Sequence, residues 1–486
     1  MKFIVKLFPE ITIKSSSVRK RLTKLLCKNI GNICSQIDEN IEVGNKWDHI
    51  SVTTEHEDES IVAALTDKLS CISGICYFMQ VLRFPLLDLD ELLETVKAHY
   101  DAALTGKTFV VRVKRSGQHT FTSVEAEKYI GGGLNQQTQA AGVNLHHPDI
   151  TINIEIKNED YFLVLSRHEG IGGFPMGSQQ PVLSLISGGF DSAVSSFMTM
   201  RRGIKTHFCF FNLGGHAHET GVKEVAYFLW EKYGALHPVL FTTLSFQPII
   251  EQILTRVDPA YMGVILKRMM LKAATLVARE MKISTLSTGE AIAQVSSQTL
   301  PNLSVIDSAT DLLTLRPLIV MDKQDIIRIA RQTGTENFSK NMPEYCAVIS
   351  KNPTIKANYK KALQEESKID FSHLEEAVKQ RKTESITNLV NLDSADLISK
   401  VIIIKTPEPE DIIIDVRHPH ESEVIPLVVD KTPVIKLPFY KLESQIGTMD
   451  TSRRYLLFCD RGVISRLHAI HLYSEGYKNI GVYIPK

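Results

Sequence analysis

The run Leu183-Ser184-Leu185-Ile186-Ser187-Gly188-Gly189-Phe190-Asp191-Ser192 passes from apolar to glycine-rich to helix-forming within a few residues. The apolar stretch 182–186 predicts a buried strand, and Ser187-Gly188-Gly189 ends it. Ala193-Val194-Ser195-Ser196-Phe197-Met198 then continues as a helix. Strand, glycine turn and helix N-terminus together form a natural phosphate site. The glycines let backbone N–H groups approach an anion, and the helix dipole favours negative charge there. No Gly-Lys-Ser/Thr follows, so this is not the Walker form. An ordinary strand–turn–helix corner is the competing reading of the same residues.

The bulk properties place this loop in a large, mixed chain. Its 486 residues allow about three domains. Hydrophobic content of 43% and charged content of 23% fit a globular protein. Lys+Arg and Asp+Glu are equal at 55 each, so any basic surface for nucleic acid must be local. No apolar stretch approaches the ~20 residues of a membrane span. Met1-Lys2-Phe3-Ile4-Val5-Lys6 lacks the long apolar region of a signal peptide. Seven cysteines in a chain of this size are no disulfide scaffold. A cytoplasmic location is expected, in which any disulfide is transient and catalytic.

The N-terminal region alternates strands and helices. Lys2-Phe3-Ile4-Val5-Lys6-Leu7 reads as a strand, and Ser15-Ser16-Ser17 as the cap of a helix over 18–32. That helix carries Arg19, Lys20, Arg21, Lys24 and Lys28. They form either a solvated face or a phosphate-contacting one. Cys71 and Cys76 have the wrong spacing for a zinc pair, so no metal site is expected. With Cys27 and Cys34 they read as buried small hydrophobes. Thr108-Phe109-Val110-Val111-Arg112-Val113-Lys114-Arg115 is a basic strand, followed by Gly117, His119 and Phe121. A capped helix starts at Ser123. Strands at 152–156 and 161–165 flank Lys157-Asn158-Glu159-Asp160, a hairpin turn. The stretch 108–121 resembles the THUMP domain of tRNA-modifying enzymes, over roughly residues 62–167. That resemblance implies binding at the tRNA acceptor end. Arg112, Lys114, Arg115 and His119 are the candidate contacts, with phosphate contacts giving affinity rather than sequence choice. Gly170-Ile171-Gly172-Gly173-Phe174-Pro175-Met176-Gly177-Ser178 reads as a flexible linker or, alternatively, as a segment that shapes the mouth of the nucleotide site.

Residues 181–352 follow an α/β pattern, with strands expected at 182–186, 205–212, 239–243, 283–288 and 312–315. Helices are expected between them, among them 221–233 and 260–280. This predicts a parallel, doubly wound sheet with its site at the strand C-termini. Ser187-Gly188-Gly189-Phe190-Asp191-Ser192 resembles the PP-loop of enzymes that cleave ATP into AMP and pyrophosphate. Asn212-Leu213-Gly214-Gly215, Thr288-Gly289-Glu290 and Gln294-Val295-Ser296-Ser297-Gln298-Thr299 lie past strand ends and can reach the same nucleotide. Lys267 and Lys323 are undistinguished by themselves. Cys346 lies in Asn341-Met342-Pro343-Glu344-Tyr345-Cys346, a stretch without a strong pattern. The charged stretch 351–400 reads as a helical connector. Beyond it, Asp411-Ile412-Ile413-Ile414-Asp415-Val416-Arg417 and Tyr455-Leu456-Leu457-Phe458-Cys459 read as strands. Cys459 opens the loop Asp460-Arg461-Gly462-Val463-Ile464-Ser465 into a helix over 466–475. Backbone N–H groups there stabilise a thiolate or persulfide anion, and Arg461 adds positive charge. This block resembles a rhodanese domain. A buried cysteine before a helix is the plainer reading.

A basic N-terminal domain, THUMP, PP-loop and rhodanese in this order resemble the tRNA uridine 4-sulfurtransferase family along essentially the whole chain. The resemblance implies an α/β multidomain protein. Its parts are a ferredoxin-like domain (1–61), a THUMP α+β domain (62–167), a doubly wound PP-loop domain (168–352), the connector (353–400) and a rhodanese α/β domain (401–486). It implies adenylation of uridine O4 with ATP and Mg²⁺, then replacement of the oxygen by sulfur, at an expected position 8 of tRNA. Asp191 and Lys323 match catalytic positions. Leu185, Ile186, Ser187, Gly188, Gly189, Ser192, Lys267, Gly289 and Gln298 fall at the ATP site, Leu185 and Ile186 through backbone or packing. In the N-terminal domain, Arg19 and Lys20 become RNA contacts. Cys459 takes a persulfide from a cysteine desulfurase. Cys346 becomes the resolving thiol, with a Cys346–Cys459 disulfide in turnover that an external thiol reductant opens. Sulfur donation to the sulfur-carrier protein of thiazole synthesis is also implied. The alternatives are a PP-loop ligase of other chemistry, for which no glutaminase signature is seen, and an RNA-binding sulfur carrier without catalysis.

Overall fold

The computed structural model describes residues 1–46, 49–56, 58–213, 216–340, 352–389, 401–417, 422–423, 425–430, 432–437, 442, 445–459, 463–474 and 476–485. Two compact units emerge, Met1–Gly173 and Phe174–Lys486.

The first unit is built on one eight-stranded sheet in the order β2-β3-β1-β4-β8-β7-β5-β6. Its strands are β1 (Lys2–Leu7), β2 (Glu42–Asn45), β3 (Ile50–Thr53), β4 (Ile75–Pro85), β5 (Thr108–Ser116), β6 (Gly142–Val143), β7 (Ile150–Lys157) and β8 (Asp160–Glu169). The helices are α1 (Pro9–Thr12), α2 (Ser16–Cys34), α3 (Glu59–Ser70), α4 (Leu89–Leu104) and α5 (Ser123–Gln137). The long strand β4 pairs antiparallel with β1 along one edge and with β8 along the other. One strand thus belongs to both halves of the unit, and the expected division at residue 61 falls inside α3. On α2, Leu22, Leu26 and Ile30 are buried at helical spacing, while Lys20, Arg21, Lys24 and Lys28 stay exposed. Ser15 occupies the N-cap position of α2 without a side-chain capping bond. The cap of α5 is Thr122, whose hydroxyl and the Glu125 carboxylate form a reciprocal capping box. The β7–β8 hairpin closes with Lys157 opposite Asp160, and Asn158 takes a φ of 52° in the turn. Residues 170–178 are not the free linker expected. Gly170 N donates to Cys76 O at 2.9 Å, Phe174 N donates to Arg201 O at 3.1 Å, and Met176 is buried.

The second unit holds two sheets. Its larger sheet runs β13-β12-β9-β10-β11-β14. Strands β9 (Gln179–Leu185), β10 (Ile204–Asn212), β11 (Leu240–Ser245), β12 (Thr285–Ser287) and β13 (Leu313–Leu315) are all parallel. Strand order reverses at β9, which has β10 on one side and β12 on the other. Loops past these strand ends therefore face one crevice. Helices α6 (Phe190–Arg201), α7 (His216–Tyr233), α8 (Gln247–Arg256), α9 (Met262–Glu280), α10 (Leu300–Asp307), α11 (Lys323–Thr333) and α12 (Glu336–Lys340) complete it.

The expected helical connector is corrected by its packing. Residues 353–389 form α13 (Tyr359–Glu366), α14 (Ser372–Lys379) and the strand β14 (Lys382–Ser385), which pairs antiparallel with β11. Ala362, Ile369, Leu374 and Val378 share a core with Ile265, Met269 and Ala273 of α9. Arg268, only 1% exposed, ion-pairs with Glu366 and donates to Val305 O. This segment is part of the nucleotide-fold core. The smaller sheet, β15-β19-β18-β16-β17, is parallel throughout. It comprises β15 (Ile403–Ile404), β16 (Ile412–Asp415), β17 (Val434–Lys436), β18 (Tyr455–Phe458) and β19 (Ile480–Tyr483). Ile413, Ile414, Leu456 and Leu457 are fully buried, as continuous apolar runs in a parallel sheet require. Helix α15 (Val463–Ser474) follows β18. Among the described residues no helix is long and apolar enough to cross a membrane.

Leu374→Ala tests whether the former connector belongs to the core. Truncating this buried leucine is expected to cost about 2–5 kcal/mol of stability in chemical denaturation. A loss below about 0.5 kcal/mol, the usual range of surface changes, would mark an independent connector.

Candidate active site

Strand β9 delivers the glycine loop. Leu185 ends the strand opposite Cys209, and Ile186 N donates to Cys209 O at 3.0 Å. Both residues engage the sheet through backbone and packing. Gly188 adopts φ 81°, and Gly189 caps α6 with extended backbone. The Ser192 hydroxyl accepts from Ser187 N at 3.1 Å and donates to Gly189 O at 3.0 Å. The loop is thereby closed on itself at the N-terminus of α6, with Asp191 in its first turn.

Two further segments converge there. Gly289, just past β12, lies so close to α6 that a Cβ would stand 2.5 Å from the Asp191 carbonyl carbon and 2.6 Å from Ser192 N. Only glycine fits this approach without moving backbone. Helix α11 arrives by packing, since Ile326 and Ala330 bury with Val194 of α6. That seam places Lys323, the first residue of α11, over the loop. Its Nζ lies 2.8 Å from Asp191 Oδ1, in a pair that is still partly exposed. Two residues expected to be catalytic, far apart in sequence, thus meet.

Behind the loop is a charge cluster that the sequence only half revealed. Glu290 accepts from Lys267 Nζ and Arg316 Nε, each at 2.8 Å, and from Thr288 Oγ1 at 3.1 Å. Burial pushes the Glu290 carboxyl up, but Lys267 and Arg316 outweigh it and hold it at about 2. Lys267, which looked like any helical lysine, is a half-buried ion-pair partner of the buried Glu290. Arg316 carried no sequence signal, since its role depends on a contact 26 residues away. Gln298, at 8% exposure, sits in a short 3₁₀ turn with Oε1 lacking a hydrogen-bond partner among the described residues.

The sulfur and RNA candidates lie elsewhere. Cys459, buried at the end of β18, receives Ser465 N at 3.4 Å, with Ser465 Oγ also at 3.4 Å. Donors at a helix start favour an anionic sulfur. Cys346 lies outside the described residues. Cys34 and Cys209 are fully buried, and burial pushes the Cys34 thiol up to about 12. Cys27 and Cys76 are only half-buried, unlike the expectation for them. In the first unit Lys20, Arg112 and Lys114 are exposed and Arg19 is half-buried. Arg112 donates to Leu145 O at 3.0 Å. Arg115 and His119 are engaged internally: Arg115 Nη1 lies 3.1 Å from His119 Nδ1, and His119 Nε2 lies 2.7 Å from Asn158 O. They brace the turn at Gly117, so Arg112 and Lys114 are the freer part of the expected RNA face.

A doubly wound sheet with a Ser-Gly-Gly loop at its switch point, a lysine over that loop and no Walker lysine defines a PP-loop nucleotide-binding protein. Comparisons narrow this. The family model described as Thiamine biosynthesis protein (ThiI) matches residues 177–371, THUMP matches 87–166, and the ThiI ferredoxin-like domain matches 2–78. The chain is 49% identical over 483 residues to the tRNA sulfurtransferase of Tolumonas auensis, covering 99% of each. It is 50% identical over 486 residues to that of Shewanella halifaxensis, covering 100% of each. A solved 4-thiouridine synthetase–RNA complex with bound ATP matches with a TM-score of 0.68 at 25% identity, over 79% of this chain and 99% of that one. PH1313 from Pyrococcus horikoshii shares the fold, with a TM-score of 0.52 at 17% identity, over 69% of this chain and 100% of that one. This chain belongs to the tRNA sulfurtransferase family.

Glu290 gives the site a pH signature. Its folded pKa lies below its unfolded value, so its stabilisation is present above the unfolded pKa and is lost as pH falls through the folded one. Between about pH 5 and about pH 2 this contributes on the order of 3 kcal/mol. Glu290→Gln is expected to flatten the acid limb of stability against pH by that order. An acid limb of unchanged steepness would contradict the buried pairing.

Proposed function

We propose that this protein is an ATP-dependent tRNA sulfurtransferase that converts a uridine, at expected position 8, to 4-thiouridine. The observation that carries this is the Lys323–Asp191 pair set on the Ser-Gly-Gly loop, in a chain half identical to tRNA sulfurtransferases along its whole length. The O4 of uracil is a poor leaving group and must be activated. In this reading the loop N–H groups and the N-terminus of α6 hold the ATP phosphates. The uridine oxygen attacks the α-phosphorus, a P–O bond forms, and pyrophosphate leaves. The Lys323 ammonium offsets charge on the phosphates, and Asp191 fixes its position. Lys267, Gly289 and Gln298 line the nucleotide side, Lys267 through its pairing with Glu290. No group of three His, Cys, Asp or Glu gathers among the described residues. In this reading Mg²⁺ would arrive mainly on phosphate and water ligands, with Asp191 the nearby carboxylate. When bound, the ion neutralises phosphate charge.

Sulfur delivery belongs to the C-terminal sheet, read as a rhodanese domain. Cys459 takes a persulfide from a cysteine desulfurase. The terminal sulfur attacks C4, a C–S bond forms and AMP leaves. The Cys346 thiolate then attacks Cys459 Sγ, freeing 4-thiouridine and leaving a Cys346–Cys459 disulfide. An external thiol reductant, supplied in the cytoplasm, reopens it. The same persulfide can serve the sulfur-carrier protein of thiazole synthesis. The basic faces of α2 and β5 hold the tRNA, mainly through phosphates.

Adenylation and sulfur transfer are separable by mutation. Asp191→Asn and Lys323→Met are expected to lower tRNA-stimulated ATP–pyrophosphate exchange by roughly 10²–10³-fold. Cys459→Ala is expected to leave that exchange intact while abolishing thiolation. Cys346→Ala is expected to stall within the first turnover, with the tRNA held on Cys459 through a disulfide and 4-thiouridine released only when an external thiol is added. Wild-type exchange in Asp191→Asn, or continuous turnover by Cys459→Ala with desulfurase as the sole source, would sink the corresponding role.

A further inference from the structure

A phosphate loop works only when its peptide N–H groups face the anion, and then its carbonyls must face away. Gly188, at φ 81°, is the point where this arrangement is easiest to lose, because a glycine peptide flips with little steric resistance. A flipped peptide would aim an oxygen at the triphosphate. In this protein the carbonyls of Ser187, Gly188 and Gly189 are each held by a side-chain donor. The Gly189 oxygen is bonded from within the motif, by Ser192 Oγ at 3.0 Å. The other two are held by distant elements. His218 Nε2, on α7, donates to Ser187 O at 3.2 Å. Ser339 Oγ, on α12, donates to Gly188 O at 3.0 Å.

Both donors are well seated. His218 is 6% exposed and Ser339 is 4% exposed. The His218 ring stands edge-on to Phe210, with centroids 5.0 Å apart. A carbonyl only accepts, so Nε2 carries the proton. Burial lowers the pKa of His218 against the opposing bond to Ser187, which favours the neutral ring. Beside Ser339, Phe338 packs on Phe228 of α7 at 5.0 Å, so the helices that carry the two donors also pack on each other.

We propose that His218 and Ser339 are positioning residues of the adenylation site, which keep the Ser187 and Gly188 carbonyls turned outward so that the loop N–H groups meet the ATP phosphates. Neither touches the nucleotide. The inference rests on the ATP-dependent reading above. Each is a hydrogen bond between neutral groups, so its loss is expected to weaken ATP binding roughly two- to tenfold.

The test uses the full-length chain and four variants: Ser339→Ala, Ser339→Thr, His218→Phe and His218→Gln. Calorimetric titration with a non-hydrolysable ATP analogue gives Kd. ATP–pyrophosphate exchange gives KM for ATP and kcat, and thermal melting checks the fold. Ser339→Ala and His218→Phe are expected to raise Kd and KM for ATP roughly two- to tenfold, with KM moving more than kcat. Ser339→Thr and His218→Gln, which keep a donor, are expected to restore most of the loss. Unchanged Kd in Ser339→Ala overturns the inference. So does a loss that Ser339→Thr fails to restore while melting as wild type. If His218→Phe does not fold, the Ser339 pair decides alone. Absence of binding by the wild-type chain would instead overturn the ATP reading.

Discussion

The site depends on how closely the end of β12 approaches the first turn of α6. Gly289 sits where any side chain would strike the Asp191 and Ser192 backbone. That contact brings the loops after β9 and β12 to one point, the place where the parallel sheet reverses direction. Hydrogen bonds behind it support the same arrangement. Ser195 Oγ donates to Thr288 O at 3.0 Å, tying α6 to the segment that leads into Gly289. Glu290, the next residue, is clamped between Lys267 and Arg316. The close approach, the ion cluster and the open glycine loop form one continuous structure.

The electrostatics divide the labour within it. The buried cluster is locked, because breaking a buried pair leaves an uncompensated charge. The Lys323–Asp191 pair is partly exposed and therefore weaker, so its lysine can turn to a phosphate at modest cost. A fixed cluster behind the loop and an adaptable pair over it suit the proposed binding of a polyanion and release of pyrophosphate. The proposed sulfur carrier, Cys459, follows a strand of a separate parallel sheet, which suits two reactions that occur in turn.

Much of this was legible in the sequence because it is written in local pattern. The strands β9 to β13 were all anticipated, since apolar runs bounded by glycine and polar turns mark buried parallel strands. The Ser-Gly-Gly loop and the strand before Cys459 were equally plain. What escaped depends on partners distant in the chain. Lys382-Thr383-Glu384-Ser385 shows no apolar period, yet it forms β14 through backbone pairing and through Glu384, which meets the buried Lys223. The charged surface of α13 concealed Glu366, which turns inward to Arg268. Ser339 has no local signature at all, because its hydroxyl matters only through a carbonyl 151 residues away. Strand β4 was hidden for another reason: one strand can serve two halves of a sheet, and no sequence boundary marks that.

The most direct measurement of the central claim is nucleoside mass spectrometry of unmodified tRNA incubated with this protein, cysteine, cysteine desulfurase and reductant, with and without ATP. The account predicts 4-thiouridine with ATP, AMP and pyrophosphate released alongside it, and no thiolated nucleoside when ATP is omitted. Equal thiolation without ATP, or ATP cleavage with no sulfur in the tRNA, would contradict it.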